Sequence, residues 1–236
     1  MNTNGTTHNG VFIIAIAGGS GSGKTWLANS LRQSLGGEAT HLALDDFYLD
    51  RSDLPENERG IINFDTPSAI DWRALKNALA QCKRGESLLH VPRYDFATHT
   101  RMDEVSVLPV KPVVIVDGLW LFHRMALRAM FDLKIFVECP NDLRFCRRME
   151  RDVLERGRTA DSVTEQFKAT VLPMHEKHVQ PQAKWADTVI CSPPAETDVL
   201  HLAEKVKAGS VKASAKKFSM WSSEPLNLKC YECLAD

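Results

Sequence analysis

Gly18-Gly19-Ser20-Gly21-Ser22-Gly23-Lys24-Thr25 follows directly on the apolar run Val11–Ala17 and precedes a helical pattern over Trp26–Leu35. It fits G-x-x-x-x-G-K-[ST] at every constrained position. Glycines let a backbone wrap a phosphate chain with its N–H groups turned inward. The helix that follows offers its positive end to the same anion. Lys24 is placed to reach the outer phosphates, and Thr25 to offer its hydroxyl to Mg²⁺. A flexible Gly/Ser linker would not be framed by a buried strand and an amphipathic helix. All eight residues, Gly18, Gly19, Ser20, Gly21, Ser22, Gly23, Lys24 and Thr25, are therefore the expected nucleoside triphosphate loop.

The 236 residues suit one α/β domain. Lys and Arg total 29 against 30 Asp and Glu, which argues against a nucleic-acid or membrane-surface binder. No apolar stretch nears the roughly 18 residues of a membrane span. Residues 1–10 read as a disordered polar leader without a signal core, so a cytoplasmic location is expected. The six cysteines (Cys82, Cys139, Cys146, Cys191, Cys230, Cys233) suit reduced thiols. Cys230-x-x-Cys233 has no further zinc ligands near it.

Working outward, Thr40–Leu44, Val113–Val116, Leu133–Val137 and Thr188–Cys191 read as further strands. Ala69–Cys82, Asp142–Leu154 and Ser162–His178 read as helices, the first opened by Thr66-Pro67-Ser68. Leu49–Asn63 reads as a loop. Ser87–Tyr94 and Glu104–Leu108 flank a polar turn and predict a hairpin within about 85–110. Strands alternating with helices predict a doubly wound parallel sheet. Ligands of such sheets sit off the carboxyl ends of the strands, where the glycine loop, Asp45-Asp46 and Asp117 all fall. Residues 11–207 form the expected catalytic domain, with 142–178 as lid and flanking helices. Residues 208–236 read as a solvated tail or as a helix docking on a neighbouring subunit.

A kinase acting on a hydroxyl needs a carboxylate near the acceptor, a second for the metal, and positive charge over the moving phosphoryl group. Asp45 suits the first role, while Asp46 suits a turn cap. Asp117 suits the second, a helix or turn cap being the plainer alternative. Arg144, Arg147, Arg148, Arg151, Arg156 and Arg158 are the densest positive cluster. Arg144, Arg148 and Arg151 share one helix face. The cluster could fold over phosphates, or lie in solvent paired with Glu150, Asp152 and Glu155.

Several motifs now stand in order: the glycine loop, Asp45-Asp46-Phe47-Tyr48, Asn63-Phe64-Asp65-x-Pro67-x-Ala69-x-Asp71, Tyr94-Asp95-Phe96-x-x-His99-x-Arg101, Asp117-Gly118, Arg147-Arg148-x-x-Arg151-Asp152-x-x-Glu155-Arg156-Gly157-Arg158, Val171-x-Pro173-Met174-His175 and Trp185-Ala186-Asp187. From about Val11 to Ile190 the chain resembles uridine (uridine–cytidine) kinases of the phosphoribulokinase/uridine kinase family. The resemblance implies a P-loop NTPase-type fold with a small β-hairpin substrate lobe and an Arg-rich helical lid. It also implies ATP and Mg²⁺ as cofactors, a small nucleoside as partner and a homo-oligomer. Residue by residue, it implies that Asp45 activates the ribose 5′-hydroxyl and that Lys24, Arg151 and Arg156 act in transfer. Thr25 and Asp117 would hold Mg²⁺. Asp65 would bind the ribose hydroxyls with Arg158 and Gln166 nearby, Tyr94 and His99 would read the pyrimidine edge, Phe64 and Phe96 would pack on the base, and Arg148 would lie in the lid. Uridine is the implied acceptor, with cytidine a second, in pyrimidine salvage.

The chain departs from the family pattern at Asp117, where Glu is usual, at Arg93, at Thr66, and at Trp120 and Phe122. Arg93 suits an acidic acceptor. Two rival readings therefore stand beside the first: a kinase of the same fold for another small hydroxylated acceptor, and a nucleotide-binding regulator without transfer activity.

Overall fold

The computed structural model describes residues 10–59 and 62–215. The expected leader and most of the expected tail lie outside them. In chain order the strands are β1 (Phe12–Gly18), β2 (Ala39–Ala43), β3 (Leu88–Val91), β4 (Tyr94–Asp95), β5 (Thr100–Arg101), β6 (Ser106–Pro109), β7 (Val113–Gly118), β8 (Leu133–Glu138) and β9 (Thr188–Cys191). The helices are α1 (Lys24–Ser34), α2 (Glu56–Arg59), α3 (Trp72–Lys83), α4 (Met125–Arg128), α5 (Asn141–Leu154), α6 (Ala160–Gln166), α7 (Leu172–Met174) and α8 (Glu196–Ala215).

A parallel sheet of order β2-β7-β1-β8-β9 forms the centre. Alternate residues of β1 are buried on opposite faces, which is why its sequence is apolar without a break. Phe12, Ile14 and Ile16 pack with Leu27 and Leu31 of α1 and with Leu202 and Val206 of α8. Ile13, Ala15 and Ala17 pack with Leu75 and Leu79 of α3 and with Trp120 and Phe122. The two bulky departures after Gly118 are therefore core residues, Trp120 being 1% exposed.

Several expectations shift. The helix expected to open at Thr66 starts at Trp72. Asp71 caps it, accepting from the Ala74 N–H at 2.9 Å, while Pro67–Ala69 forms a separate 3₁₀ turn. The helix expected over Ser162–His178 is α6, two wide π turns (Phe167–Val171 and His175–Val179) flanking α7, and a 3₁₀ segment Gln180–Trp185. Pro173 lies inside it and cannot donate to the ladder. The hairpin is two ladders, β3 with β6 and β4 with β5. The boundary at residue 207 is not a structural break: α8 continues to Ala215, and buried Gly209 lies against the ring of Phe12. Cys191 is disulfide-bonded, so the expectation of reduced thiols holds for Cys82, Cys139 and Cys146. No helix among the described residues is long and apolar enough to cross a membrane.

Candidate active site

Three adjacent strands, β2, β7 and β1, bring their carboxyl ends together, and each ends in chemistry. β1 leads into the glycine loop. Gly21 has φ +77°, and a Cβ there would overlap the Arg144 backbone oxygen, so only glycine lets the loop lie this close to α5. Gly23 precedes α1 with no side chain capping the helix. The first-turn N–H groups are thus left for an anion. Ser20 ties the loop to α5: its Oγ accepts from Arg148 Nη1 at 2.9 Å and its carbonyl from Arg144 Nη1 at 3.4 Å. Ser22 is fully buried behind the loop.

β7 ends in Asp117, where a Cβ on Gly118 would overlap the side chain of Leu44. That close approach lets the turn after β2 cross the end of β7 and carry Asp45 to the same mouth. Asp117 Oδ2 accepts from the Thr25 hydroxyl at 2.6 Å, and Oδ1 from His41 Nε2 at 2.7 Å. Burial pushes Asp117 up, but the His41 bond, Lys24 and Thr25 together hold it below the ordinary carboxylate value. Burial dominates at Asp45 and raises its carboxyl, against the pull of Lys24 and with a further push from Asp117. Asp45 Oδ1 is buried and has no hydrogen-bond partner. The two nearby carboxylates are thus pushed in opposite directions, Asp117 down and Asp45 up. Burial lowers Lys24, while Asp45 and Asp117 draw it back up. Asp46 is raised to about 6, by burial and then by Asp45.

Beyond this mouth opens a cavity of about 920 Å³. Every residue expected in transfer or acceptor binding lines it: Lys24 and Asp45; Phe64 and Asp65; Tyr94, Phe96 and His99; Arg148, Arg151, Arg156, Arg158 and Gln166. Thr25 and Asp117, hydrogen-bonded to each other, do not line it. One wall is aromatic. Phe64 and His99 stack at 4.5 Å between centroids, Tyr94 meets Phe96 at 5.3 Å, and Tyr48 meets Tyr94 at 5.2 Å. Arg101 clamps the hairpin onto this wall, donating to the Tyr48 carbonyl at 2.9 Å and to Asp71 Oδ2 at 3.1 Å.

A second wall is cationic, with Arg156 5.1 Å over the ring of Phe96, and its helix is inverted. The buried stripe of α5 is Arg144, Arg148 and Asp152. Of the two alternatives, the solvated face is ruled out for Arg144 and Arg148, while Arg151, Arg156 and Arg158 stay about a third exposed. Asp152, fully buried, faces Arg148 at 3.3 Å, Arg151 at 2.8 Å, Arg156 at 3.5 Å and Arg158 at 3.9 Å. Arg148 Nη2 and Arg158 Nη1 both donate to Gln166 Oε1. Asp65 Oδ2 accepts from Thr170 Oγ1 at 3.1 Å and caps no helix. Arg144 and Arg147 serve the glycine loop instead, Arg147 donating to the Gly21 carbonyl and to Ser192 Oγ. Arg93 pairs with Glu104 at 3.3 Å, both well exposed, and does not line the cavity.

Sequence reasoning passed over Tyr48, Asp152 and His41 as site residues. Tyr48 stood in the quoted string Asp45-Asp46-Phe47-Tyr48. Asp152 was the carboxylate in the midst of the arginines.

The Phosphoribulokinase / Uridine kinase family model matches residues 13–198. The chain belongs to this family. A protein named uridine kinase from Halobacterium salinarum is 38% identical over 204 residues, covering 86% of this chain and 90% of its own. Another of that name from Chloroflexus aurantiacus is 42% identical over 178 residues, 75% of this chain and 85% of its own. Among solved structures, a putative fructose transport system kinase from Silicibacter aligns with a TM-score of 0.62 at 23% identity, covering 80% of this chain and 92% of that one. Phosphoribulokinase from Rhodobacter spheroides aligns at 0.56 and 17%, covering 81% and 74%. These two similarities speak to the fold. As a phosphoribulokinase/uridine kinase family member the chain is a phosphotransferase on a P-loop sheet.

Proposed function

We propose that the chain transfers the γ-phosphoryl group of ATP to the 5′-hydroxyl of uridine, with cytidine as a second acceptor, in pyrimidine salvage. The observation that carries this reading is the single cavity on which Lys24 and Asp45 meet an aromatic wall and an arginine wall. A base needs stacking faces, a ribose needs a carboxylate, and a transferring phosphoryl group needs cations. The relatives named uridine kinase support the choice of acceptor.

In this reading the glycine loop and the N-terminus of α1 hold the triphosphate, and Lys24 lies against its outer oxygens. Thr25 and Asp117 would hold Mg²⁺, because their adjacent donors are hard oxygens. When bound, Mg²⁺ neutralises charge on the phosphates. Asp45 accepts the 5′-hydroxyl proton as that oxygen bonds to phosphorus and the bond to ADP breaks. Its unpartnered Oδ1 is the atom free to do so. Arg148, Arg151 and Arg156 neutralise the transferring group. Asp65, Arg158 and Gln166 hold the ribose hydroxyls. Tyr94 and His99 read the base edge, and Phe64 and Phe96 cover its faces.

The test is ADP release from Mg·ATP with uridine, cytidine, adenosine, nicotinamide riboside, ribose and pantothenate. Turnover with uridine well above the acceptor-free control is expected. Turnover only with a non-nucleoside would overturn the acceptor, and turnover with none would favour the regulator.

A further inference from the structure

The carboxylate that ends β7 is held from two sides. Asp117 is almost wholly buried, its side chain 4% exposed. Thr25 occupies Oδ2 at 2.6 Å, and His41 occupies Oδ1 at 2.7 Å. The contact fits the tautomer with its proton on Nε2, in which the ring donates to a carboxylate that only accepts. The parallel register of β2 and β7 makes the contact possible. Ala43 stands opposite Asp117 and His41 opposite Ile115, so His41 and Asp117 share one face of the sheet, two positions apart. Four residues after His41 the same chain delivers Asp45. β2 thus carries a tether for Asp117, and the turn that follows it carries the other carboxylate of the site.

We infer that His41 is the positioning residue of Asp117, its Nε2–H pinning Oδ1 so that Oδ2 is the oxygen presented to Thr25 and to the metal of the nucleotide. Without the pin, a short carboxylate can turn about its last bond and lend either oxygen to either neighbour. Partners behind a ligating carboxylate fix its orientation, and losing one costs about 10- to 100-fold in metal affinity or activity. The inference rests on the proposed metal role of Thr25 and Asp117.

The test needs no turnover. Mn²⁺, a paramagnetic substitute for Mg²⁺, is titrated into the full chain with ADP and no acceptor, and free Mn²⁺ is read by electron paramagnetic resonance. His41→Gln places an amide N–H near the lost Nε2, whereas His41→Asn falls short of it. Both are polar and smaller than His, so a merely structural role would treat them alike. Mn²⁺ affinity is expected to fall about 10- to 100-fold in His41→Asn and to recover in His41→Gln, with metal-free ADP binding unchanged in both. In turnover, the Mg²⁺ concentration at half-maximal rate rises in His41→Asn, while KM for the acceptor stays. Wild-type Mn²⁺ affinity in His41→Asn, or equal losses in both variants, would overturn the inference. If the unaltered protein with ADP binds no Mn²⁺, the metal role of Thr25 and Asp117 falls first.

Discussion

Phe64 and His99 lie face to face, their ring centroids 4.5 Å apart and their planes within 12°. His99 holds a left-handed backbone (φ 57°), unusual for a residue with a side chain, and it places the imidazole over the phenyl ring. In the proposed function, a nucleoside base would part this pair or stack on its outer side. Burial lowers the pKa of His99, although Asp95 opposes this, which favours the neutral ring, a form with one donor and one acceptor nitrogen.

Phe64→Ala should therefore act on acceptor binding. Base–aromatic stacking is worth about 1–3 kcal/mol, or roughly 5- to 150-fold. KM for uridine should rise by that order, with KM for ATP unchanged. Steady-state kinetics on both substrates decide it. An equal rise in both would place Phe64 outside the acceptor site.

Asp45→Asn tests the base. kcat should fall about 10²- to 10⁴-fold, while nucleotide binding survives. In the unaltered protein, kcat/KM should rise with pH along a limb lying above the ordinary carboxylate range, and the variant should lose that limb. Stability moves the other way. The folded state holds the Asp45 proton more tightly than the unfolded chain does. Stability therefore falls as pH climbs from the unfolded value, about 4, to the raised one. The variant should gain Tm over the unaltered protein across that interval and lose the gain below it.

Asp152 carries the arginine wall. Removing one partner from a buried ionic cluster costs about 3–5 kcal/mol. Three of the four arginines are about a third exposed, so Asp152→Asn belongs at the low end. Tm and kcat should fall together, and chemical denaturation measures the first. An unchanged kcat in a destabilised variant would mean that the wall positions no phosphate.

Arg93→Ala addresses the acidic-acceptor rival. Its partner Glu104 is 79% exposed, and such surface pairs contribute about 0–1 kcal/mol. Uridine kinetics should be unchanged. A fall in kcat/KM confined to the acceptor would return Arg93 to the site.

The parts of the site that were legible in sequence are local. Glycine spacing reports on one loop, and Asp45 and Asp117 stand out because each closes an apolar run. The aromatic and acidic residues of the cavity's other wall were found by resemblance, motif by motif. What escaped needed long-range geometry. His41 meets its partner 76 positions away, and nothing in Thr40-His41-Leu42 announces that. Asp152 looked like a solvent-exposed helix residue, since charge on a helix ordinarily faces water. Here the arginine stripe turns inward to hold the glycine loop. A helix beyond residue 207 stood as one alternative, but its packing on its own chain was not legible, because the anchor, Gly209 against Phe12, joins the two ends of the described chain.

The most direct measurement is ³¹P spectroscopy of the product formed from uridine and Mg·ATP, with 5′-deoxyuridine in parallel. The account predicts uridine 5′-monophosphate and stoichiometric ADP, and no transfer to the analogue that lacks the hydroxyl. Phosphate on the 2′- or 3′-oxygen, or transfer that persists with 5′-deoxyuridine, would contradict the placement of the 5′-hydroxyl at Asp45.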